Sequence, residues 1–464
     1  MLSRLKSAAV LLGLFAAVPL FAAEDHTEYI EGPFDTPQEV TETCLMCHDG
    51  VGEDILKTRH WNWQGHEFEM EGHGTVRLGK QNLINNFCIA VPSNYPRCTS
   101  CHIGYGWKDE SFDFTDVNNI DCLVCHESTG TYRKVPTGAG MPAEKIDLVT
   151  IARSVGSVPT RRNCGTCHFD GGGGTGVKHG DMDDDLYQPT ADLDVHMGML
   201  DFNCIDCHTT ENHQISGASH ASWAMGEGHI SCADCHGSEQ IHAKQVIDKH
   251  LSTVACESCH IPLYARGRPT KTWWDWSKAG EDRPEEEDQY GKETYVKKKG
   301  EFRWGKDLVP TYTWSNGTAS VYMQGDRINP EEVVKLNEIH GAKVDPESRI
   351  YPFKVMRGKQ PYDPANKTLI VPQLFGPGGF WKTFDWVKAA QSGMAAVGLD
   401  FSGEVDFVET EMFWPLNHTV APADDALRCM RCHGKKGRMP WKELGYDGDP
   451  MRAKYSRWDD IENE

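Results

Sequence analysis

The pattern Cys-x-x-Cys-His occurs eight times in this chain of 464 residues. Each copy places two thiols three positions apart, with a histidine directly after the second thiol. Seven copies lie between residues 44 and 260, and the eighth begins only at residue 429. The cysteine pairs are Cys44 and Cys47, Cys98 and Cys101, Cys122 and Cys125, Cys164 and Cys167, Cys204 and Cys207, Cys232 and Cys235, Cys256 and Cys259, and Cys429 and Cys432; the histidines that follow them are His48, His102, His126, His168, His208, His236, His260 and His433.

This spacing is the attachment signal for a c-type haem. The two thiols add across the two vinyl groups of one porphyrin, and the adjacent imidazole reaches the iron as an axial ligand. Zinc sites and disulfide frameworks are the alternatives, but zinc pairs need no histidine directly after them. The sequence therefore predicts eight covalently bound haems, which use all but one of the 17 cysteines and leave Cys88 over.

The N-terminus has the features of a secretory signal peptide. Arg4 and Lys6 precede an apolar stretch, which ends at Ala22 and Ala23 before the acidic Glu24. This stretch is shorter than the roughly 20 residues that span a bilayer, although retention as an anchor is the alternative. Residues 1–23 are therefore expected to be cleaved, which predicts a periplasmic protein that does not span the membrane.

Composition predicts a fold built on its cofactors. Only 39% of the residues are hydrophobic and 45 are glycine, so the porphyrins have to supply much of the apolar volume. We expect a multihaem cytochrome c that is mainly α with extensive loops and little sheet, wrapped around a stacked haem core. The formal net charge of −21 argues against nucleic acid and anionic membranes as partners.

The uneven motif spacing divides the chain into regions. After the signal peptide, residues 24–268 form a haem-dense region with seven haems, residues 269–428 a haem-free segment rich in tryptophan, and residues 429–464 the eighth motif and a tail. The tryptophans are expected to pack on porphyrin edges and on one another. Apolar spacing predicts helices over 331–340 and 383–394.

Histidines are numerous enough to give most irons a second imidazole. Of the 21 histidines, eight lie in the motifs. Two imidazoles on one iron give a low-spin, low-potential centre suited to moving electrons. The predicted distal ligands are His60, His196, His213, His220, His242, His250 and His418; His179 and His229 are reserves, and His26, His66, His73 and His340 are expected to be surface or core residues.

Two local features of the sequence are not explained by electron transfer alone. One is Cys88, which on its own predicts either a buried inert thiol or a reactive one. The other is the glycine run 171–174, followed by Lys178, which on its own predicts a flexible loop with an exposed lysine. The acidic string Asp181, Asp183, Asp184 and Asp185 after it predicts a solvated loop, with a calcium site as the weaker alternative.

Several segments resemble the octahaem tetrathionate reductase family of c-type cytochromes. They are 86–88, 163–169, the glycine run, 177–181, 194–197 and 261–262. All eight motifs fit as well, so the resemblance covers nearly the whole mature chain. It implies that Lys178 is the amine that caps one haem and that Cys88 lies beside it as a second catalytic residue.

Physical chemistry is consistent with this implied site. A buried ferric iron and desolvation both favour the neutral amine that a lysine needs in order to donate a lone pair. Such a ligand can leave and open a coordination position, and the freed ammonium can attract an anion. A neighbouring thiolate can exchange with a bond between two sulfurs.

The expected function is that of a periplasmic oxidoreductase that takes electrons from an unidentified redox partner protein. The resemblance implies reduction of tetrathionate, with nitrite and hydroxylamine as the nitrogen alternatives. Related nitrite reductases that use Cys-x-x-Cys-Lys match less well, because every motif here ends in histidine. The alternative from a different class is a non-catalytic conduit in which every iron has six ligands.

Overall fold

The computed structural model of the chain describes residues 25–65, 67–70, 72–87, 90–217 and 230–452. The expected signal peptide lies outside the described residues. So do the end of the polar tail and four residues named from the sequence: His66, Cys88, His220 and His229.

Short helical turns carry the attachment motifs. Residues three apart lie on one face of a helical turn, which brings the two thiols of a motif to the same side. The second motif forms a 3-10 turn at Cys98–Cys101. The α-helices are α1 (Pro37–Leu45), α2 (Val51–Ile55), α3 (Arg59–Asn62), α4 (Leu123–His126), α5 (Leu148–Arg153), α6 (Arg161–His168), α7 (Cys204–Cys207), α8 (Ala233–His236), α9 (Gln245–Asp248), α10 (Glu257–His260), α11 (Phe380–Thr383), α12 (Trp386–Ala396) and α13 (Cys429–Cys432).

None of the helices in the described ranges has both the length and the apolar character needed to cross a lipid bilayer.

The haem-free segment builds a mixed sheet of eight strands in the order β10-β14-β12-β5-β7-β6, with β8 and β13 also paired to β12. Small two-stranded ribbons lie elsewhere. The strands are β1 (Glu67–Met70), β2 (Gly74–Arg77), β3 (Thr210–Glu211), β4 (Gln214–Ile215), β5 (Thr270–Asp275), β6 (Tyr295–Val296), β7 (Gly300–Gly305), β8 (Thr311–Ser315), β9 (Ala319–Val321), β10 (Val334–Lys335), β11 (Asn337–Ile339), β12 (Arg349–Asp363), β13 (Thr368–Leu369) and β14 (Asp406–Pro415).

Strand β12 is the centre of this sheet. It runs antiparallel to β14, with Met356 opposite Met412, and parallel to β5, with Gly358 opposite Trp274. Most of its side chains are buried. The expectation of a mainly helical chain with little sheet therefore differs from the structure. The physical reason is that a segment without porphyrins has to bury its own apolar side chains, and here it does so on a sheet.

Aromatic side chains form the core beside the sheet. Trp274 and Trp276 stack with ring centres 4.8 Å apart, and Trp386 stacks on Phe380 at 3.9 Å. The same cluster of buried residues includes Met356. Trp274, Trp276 and Trp386 thus pack on one another, as the sequence predicted for this segment.

One of the two predicted helices in this segment was wrong. Residues 331–340 contain the strands β10 and β11, because Val334 and Leu336 are buried while Lys335 between them is exposed, which is the period of a strand. The second prediction holds over Trp386–Ala396. There the Asp385 side chain caps the helix by accepting a hydrogen bond from the Lys388 amide at 3.1 Å.

Replacing Met356 with alanine is expected to lower the free energy of unfolding by about 2–5 kcal/mol, because its side chain has no solvent exposure and belongs to the largest cluster of buried side chains, so the change leaves a cavity. Chemical denaturation followed by far-UV circular dichroism measures the change. Val387→Ala, on the exposed face of α12, is the matched control and should shift the midpoint much less.

Candidate functional site

Seven pairs of histidine rings lie opposite each other, with ring centres between 6.0 and 6.4 Å apart. Each pair joins one motif histidine to one histidine from another part of the chain. The pairs are His48 with His26, His168 with His60, His126 with His213, His236 with His196, His208 with His418, His260 with His242, and His433 with His250.

This separation fits a shared iron. A metal–imidazole bond is about 2 Å long, so two rings on opposite sides of one metal have centres about 6 Å apart. Burial lowers the pKa of His168 to about 3 and also lowers the pKa of His60, so both rings are neutral and have a lone pair to donate. The residues present therefore fit seven haems with two imidazoles each.

Six of the seven distal histidines predicted from sequence lie in these pairs, and His220 falls outside the described residues. The seventh pair contains His26, which the sequence predicted to be a surface or core residue. It sits on a single 3-10 turn that the Asp25 side chain caps, and no periodicity or neighbouring motif marks it as a ligand. Only the folded chain brings it opposite His48.

The second ring nitrogen of several paired histidines is held by the protein. Carboxylates contact the Nδ1 atoms of three of them, which orients the ring and fixes its tautomer. Backbone carbonyls do the same for His126 and His208, each at 2.9 Å. The carboxylate contacts are Asp181 with His418 at 3.2 Å, Asp248 with His242 at 2.8 Å and Asp449 with His433 at 2.6 Å.

Thiols of different motifs touch one another. The contacts join the first motif to the third, the second to the fourth, the fourth to the fifth and the sixth to the seventh. Haems attached at these cysteines would lie next to one another, which electron transfer from haem to haem requires. The contacting thiols are Cys44 and Cys122, Cys101 and Cys167, Cys164 and Cys204, and Cys232 and Cys256.

His102 differs from the other motif histidines. Within the part of the chain that the structure describes, it has no second imidazole opposite it. Its ring is fully buried among aromatic side chains, 4.8 Å from the Trp107 ring centre, and its Nε2–H donates a hydrogen bond to the Trp61 carbonyl at 2.6 Å. Burial lowers the pKa of His102 to about 3, so the ring is neutral and has one N–H to donate. The nitrogen expected to bind iron is therefore engaged by the backbone.

Lys178 lies on a tight loop against the sheet. Gly172 has a φ of +80°, and a Cβ atom there would stand 2.6 Å from the Phe87 ring and 3.3 Å from the Lys178 Cβ. The Lys178 Nζ atom is 4.9 Å from the Trp414 ring centre, within the range of a cation–π contact. The lysine is half-buried, so it is not the exposed side chain that the glycine run alone predicts.

The segment just before Cys88 docks on the same strand as this loop. The Asn86 side-chain amide donates to the Met356 carbonyl at 2.7 Å, and Gln360 donates to the Asn85 carbonyl at 2.9 Å. Phe87 lies 5.7 Å from the Trp414 ring centre. Two chain segments predicted to be catalytic are thus fastened side by side on β12 and β14. Trp414, which joins them, carries no sequence signal of this role.

Positive side chains gather near the loop although the chain is acidic overall. Burial is the main cause of the low pKa of His168, and the charges of Lys178 and Lys80 depress it further. The Lys80 Nζ atom lies 4.0 Å from the Trp63 ring centre. A local positive field of this kind attracts small anions despite the net charge of −21.

The acidic string beside the loop does not form a calcium cluster. Asp181 accepts bonds from the backbone and ring of His418, Asp183 accepts from the Asp185 amide, and the last two aspartates face Arg268. No group of three metal-ligating side chains occurs among the residues described. The structure therefore gives the calcium alternative no support.

The remaining histidines have other contacts. His179, a reserve ligand, lies 5.3 Å from the Trp414 ring centre, and burial holds its pKa well below the usual value. His73 contacts Asp326 at 3.3 Å, and His340 lies between the hydroxyls of Thr318 and Ser320.

Comparisons with known proteins agree on the class of molecule. Residues 271–436 match the family described as bacterial cytochrome c, and residues 190–270 match cytochrome c7 and related cytochromes c. An octahaem cytochrome c from Shewanella oneidensis has 49% sequence identity and a TM-score of 0.88, over 94% of this chain and 99% of that one. An uncharacterized protein of Archaeoglobus fulgidus is 25% identical over 45% of this chain and 86% of its own length.

Proposed function

Because this chain belongs to the octahaem cytochrome c family, as its resemblance to the octahaem tetrathionate reductases predicted, we propose that it is a reductase with one lysine-ligated haem. Its haems are covalently bound, and its role lies in multihaem electron transfer or reduction. The finer proposal is that eight haems are bound. Seven have the imidazole pairs described above, and the one attached at Cys98 and Cys101 takes Lys178.

The observation that carries this proposal is the engagement of His102. The Nε2–H of His102 is donated to a backbone carbonyl and, among the described residues, no second imidazole lies opposite the ring, so the haem of this motif would take a ligand of another kind. A chain of contacts runs from this motif toward Lys178. The Cys98 thiol is 3.9 Å from the Ala90 carbonyl, Ala90 lies three residues after Phe87, and Phe87 borders the Lys178 loop. These contacts support the proposal that Lys178 acts at the second attachment point.

The bound haems supply electrons one at a time, and an exchangeable iron ligand provides a position for a small molecule. Lys178 has two tasks in this proposal. The neutral amine would be the group that holds the iron, and the protonated amine would offer positive charge to an anion. The electron-rich face of Trp414 lies 4.9 Å from the Lys178 Nζ atom and would stabilise that ammonium.

Sulfur and nitrogen oxyanions are the proposed substrate class. Lys80 and Lys178 supply the local positive charge that such anions need. Cys88 follows directly on Asn86–Phe87 in the sequence. Its thiolate would attack the central sulfur–sulfur bond of tetrathionate, which releases one thiosulfate and leaves the other joined to the Cys88 sulfur. Two electrons stored on the haems would then break this new sulfur–sulfur bond, release the second thiosulfate and restore the thiolate. Nitrite and hydroxylamine remain the nitrogen alternatives.

The cellular setting is part of the proposal. The signal peptide at residues 1–23 would direct the mature chain to the periplasm, where an unidentified redox protein donates electrons. The haem-dense region 24–268 and the eighth motif would gather these electrons, and the sheet of the haem-free region 269–428 would support the lysine site.

A substrate panel on one preparation tests the proposal. Rates with reduced dye are measured for tetrathionate, nitrite and hydroxylamine, and near-infrared magnetic circular dichroism of the oxidised protein reports the axial ligands. We expect seven bis-imidazole haems, one haem of different ligation, and a change in that one haem on substrate binding. Eight bis-imidazole haems that no substrate perturbs would establish the conduit alternative instead.

Replacing Asp449 with asparagine is expected to raise the reduction potential of one haem, the one proposed to lie between His250 and His433. The carboxylate makes the His433 ring a stronger donor, which stabilises ferric iron, and an amide does this less. Spectroelectrochemical titration measures the shift. Asp447→Asn, exposed in the same loop, is the control, and equal titration curves for the two variants would contradict the assignment.

A further inference from the structure

Five consecutive backbone carbonyls around Lys178 all accept hydrogen bonds from the protein body. A loop in this position ordinarily turns some of its carbonyls toward water. Here the donors come from β12, from the start of β5 and from the segment before β5. The Gly176 carbonyl accepts from the Lys271 amide at 3.1 Å, the Val177 and Lys178 carbonyls each accept from Lys354 Nζ at 2.9 Å, the His179 carbonyl accepts from the Thr270 hydroxyl at 3.0 Å, and the Gly180 carbonyl accepts from the Ala265 amide at 2.6 Å.

Lys354 is an unusual residue for the middle of a sheet. It is fully buried at 0% exposure on β12, the central strand. Its Nζ atom contacts three acceptors, the carbonyls of Val177 and Lys178 and the Thr270 hydroxyl at 2.6 Å. Three acceptors match the three N–H groups of an ammonium. Burial lowers the pKa of Lys354 to about 7, while the charge of Asp181, on the same loop, acts in the opposite direction and favours the protonated amine.

Burying a lysine amine costs free energy unless the amine is hydrogen-bonded, so the bonds made by Lys354 point to a specific role. A methionine would fill the same volume and suit the apolar core around Met356, but it would leave two carbonyls without donors. The bonds that only the amine can make fall on the peptide units on either side of the Lys178 Cα atom. The Lys354 side chain thus fixes the direction in which the Lys178 side chain leaves the loop.

We propose that Lys354 is a positioning residue that clamps the main chain at Lys178 and thereby aims the Lys178 amine into the site. This inference rests on the proposed function, since it presumes that Lys178 acts there. Lys354 and Gln360 are an even number of residues apart on one strand, so their side chains share a face. Gln360 holds Asn85, so this face fixes the Lys178 loop relative to the segment that leads to Cys88.

The test uses Lys354→Met in the full haem-loaded protein. We expect the seven bis-imidazole signals and the far-UV spectrum to stay as in the parent protein. The signal of the differently ligated haem should broaden or move, and kcat should fall about 10–100-fold, as for other residues that orient a metal ligand. Lys359→Met, a partly exposed lysine of the same strand, is the matched control and should leave all signals unchanged.

Chemical rescue separates positioning from general support of the fold. In Lys354→Ala, added methylammonium or ethylammonium should enter the carbonyl cage and restore the signal of the differently ligated haem, whereas their neutral alcohol counterparts should not. If the lysine variants do not fold, Thr270→Val removes the third acceptor and two carbonyl contacts at nearly constant volume, and a smaller change in the same signal is expected.

The outcomes distinguish this inference from the proposed function. A normal haem signal and normal kcat in Lys354→Met, alongside a changed signal in a Lys178 variant, would overturn the clamp and leave the lysine-ligated haem standing. Normal signals in both variants would overturn the proposed function and the clamp with it. A changed signal in both, with rescue by the alkylammonium ions, supports the clamp.

Discussion

Replacing Lys178 with leucine is expected to lower the turnover of the preferred oxyanion at least about a hundredfold, the range in which a positioned proton donor contributes. Leucine fills the space beside Trp414 but offers neither a lone pair to iron nor a charge to the substrate. The spectrum of the oxidised protein should change at one haem only, because the seven histidine pairs do not involve this residue.

Steady-state reduction with reduced dye and magnetic circular dichroism of the same samples measure these two effects. Lys382→Leu, an exposed lysine on α11, controls for the loss of one positive charge. Turnover within about twofold of the parent protein, with an unchanged spectrum, would remove Lys178 from the site. Lost turnover with an unchanged spectrum would contradict ligation and leave Lys178 as an anion-binding residue.

Local chemistry explains why the attachment sites could be predicted from sequence while the sheet could not. Two thiols and a histidine within five residues define a haem site without reference to the rest of the chain. The sheet depends on long-range pairing, as where β5 lies beside β12 some 80 residues later in the chain. The helix predicted over 331–340 was wrong for the same reason: its apolar residues have helix-like spacing in the sequence, but β10 pairs with the distant strand β14 and β11 pairs with β9.

The sequence predicted individual residues of the candidate site, but it did not predict how the folded chain arranges them. Sequence and resemblance together named Lys178, and the glycines marked its loop. Nothing in the sequence shows that Lys354 is buried beneath that loop, because a lysine in a strand normally lies on a solvent-facing side. The different surroundings of His102 were equally hidden, since its motif has the same pattern as the other seven, and only the aromatic rings around it in the folded chain set it apart.

Replacing His26 with leucine is expected to remove one of the seven bis-imidazole signals. The haem attached at Cys44 and Cys47 would keep His48 and lose the ring opposite it, so it should become high-spin and bind added cyanide or imidazole. Intact mass measures whether all eight haems are attached, and magnetic circular dichroism counts the remaining pairs. His73→Leu, which removes a ring that contacts only an aspartate in the described structure, is the control.

Measuring His102→Phe beside His26→Leu tests whether the distance between ring centres identifies the imidazole pairs. His26 has no sequence feature that marks it as a ligand, and it was assigned only because its ring centre lies 6.3 Å from that of His48. By the same criterion, His102 has no paired imidazole among the described residues. If His26→Leu removes a bis-imidazole pair and His102→Phe removes none, then ring geometry identifies the imidazole pairs of this chain, and the haem of the second motif needs a ligand other than a second imidazole. If His26→Leu leaves seven pairs, the criterion fails for both residues, and the structural case for Lys178 as the replacement ligand fails with it.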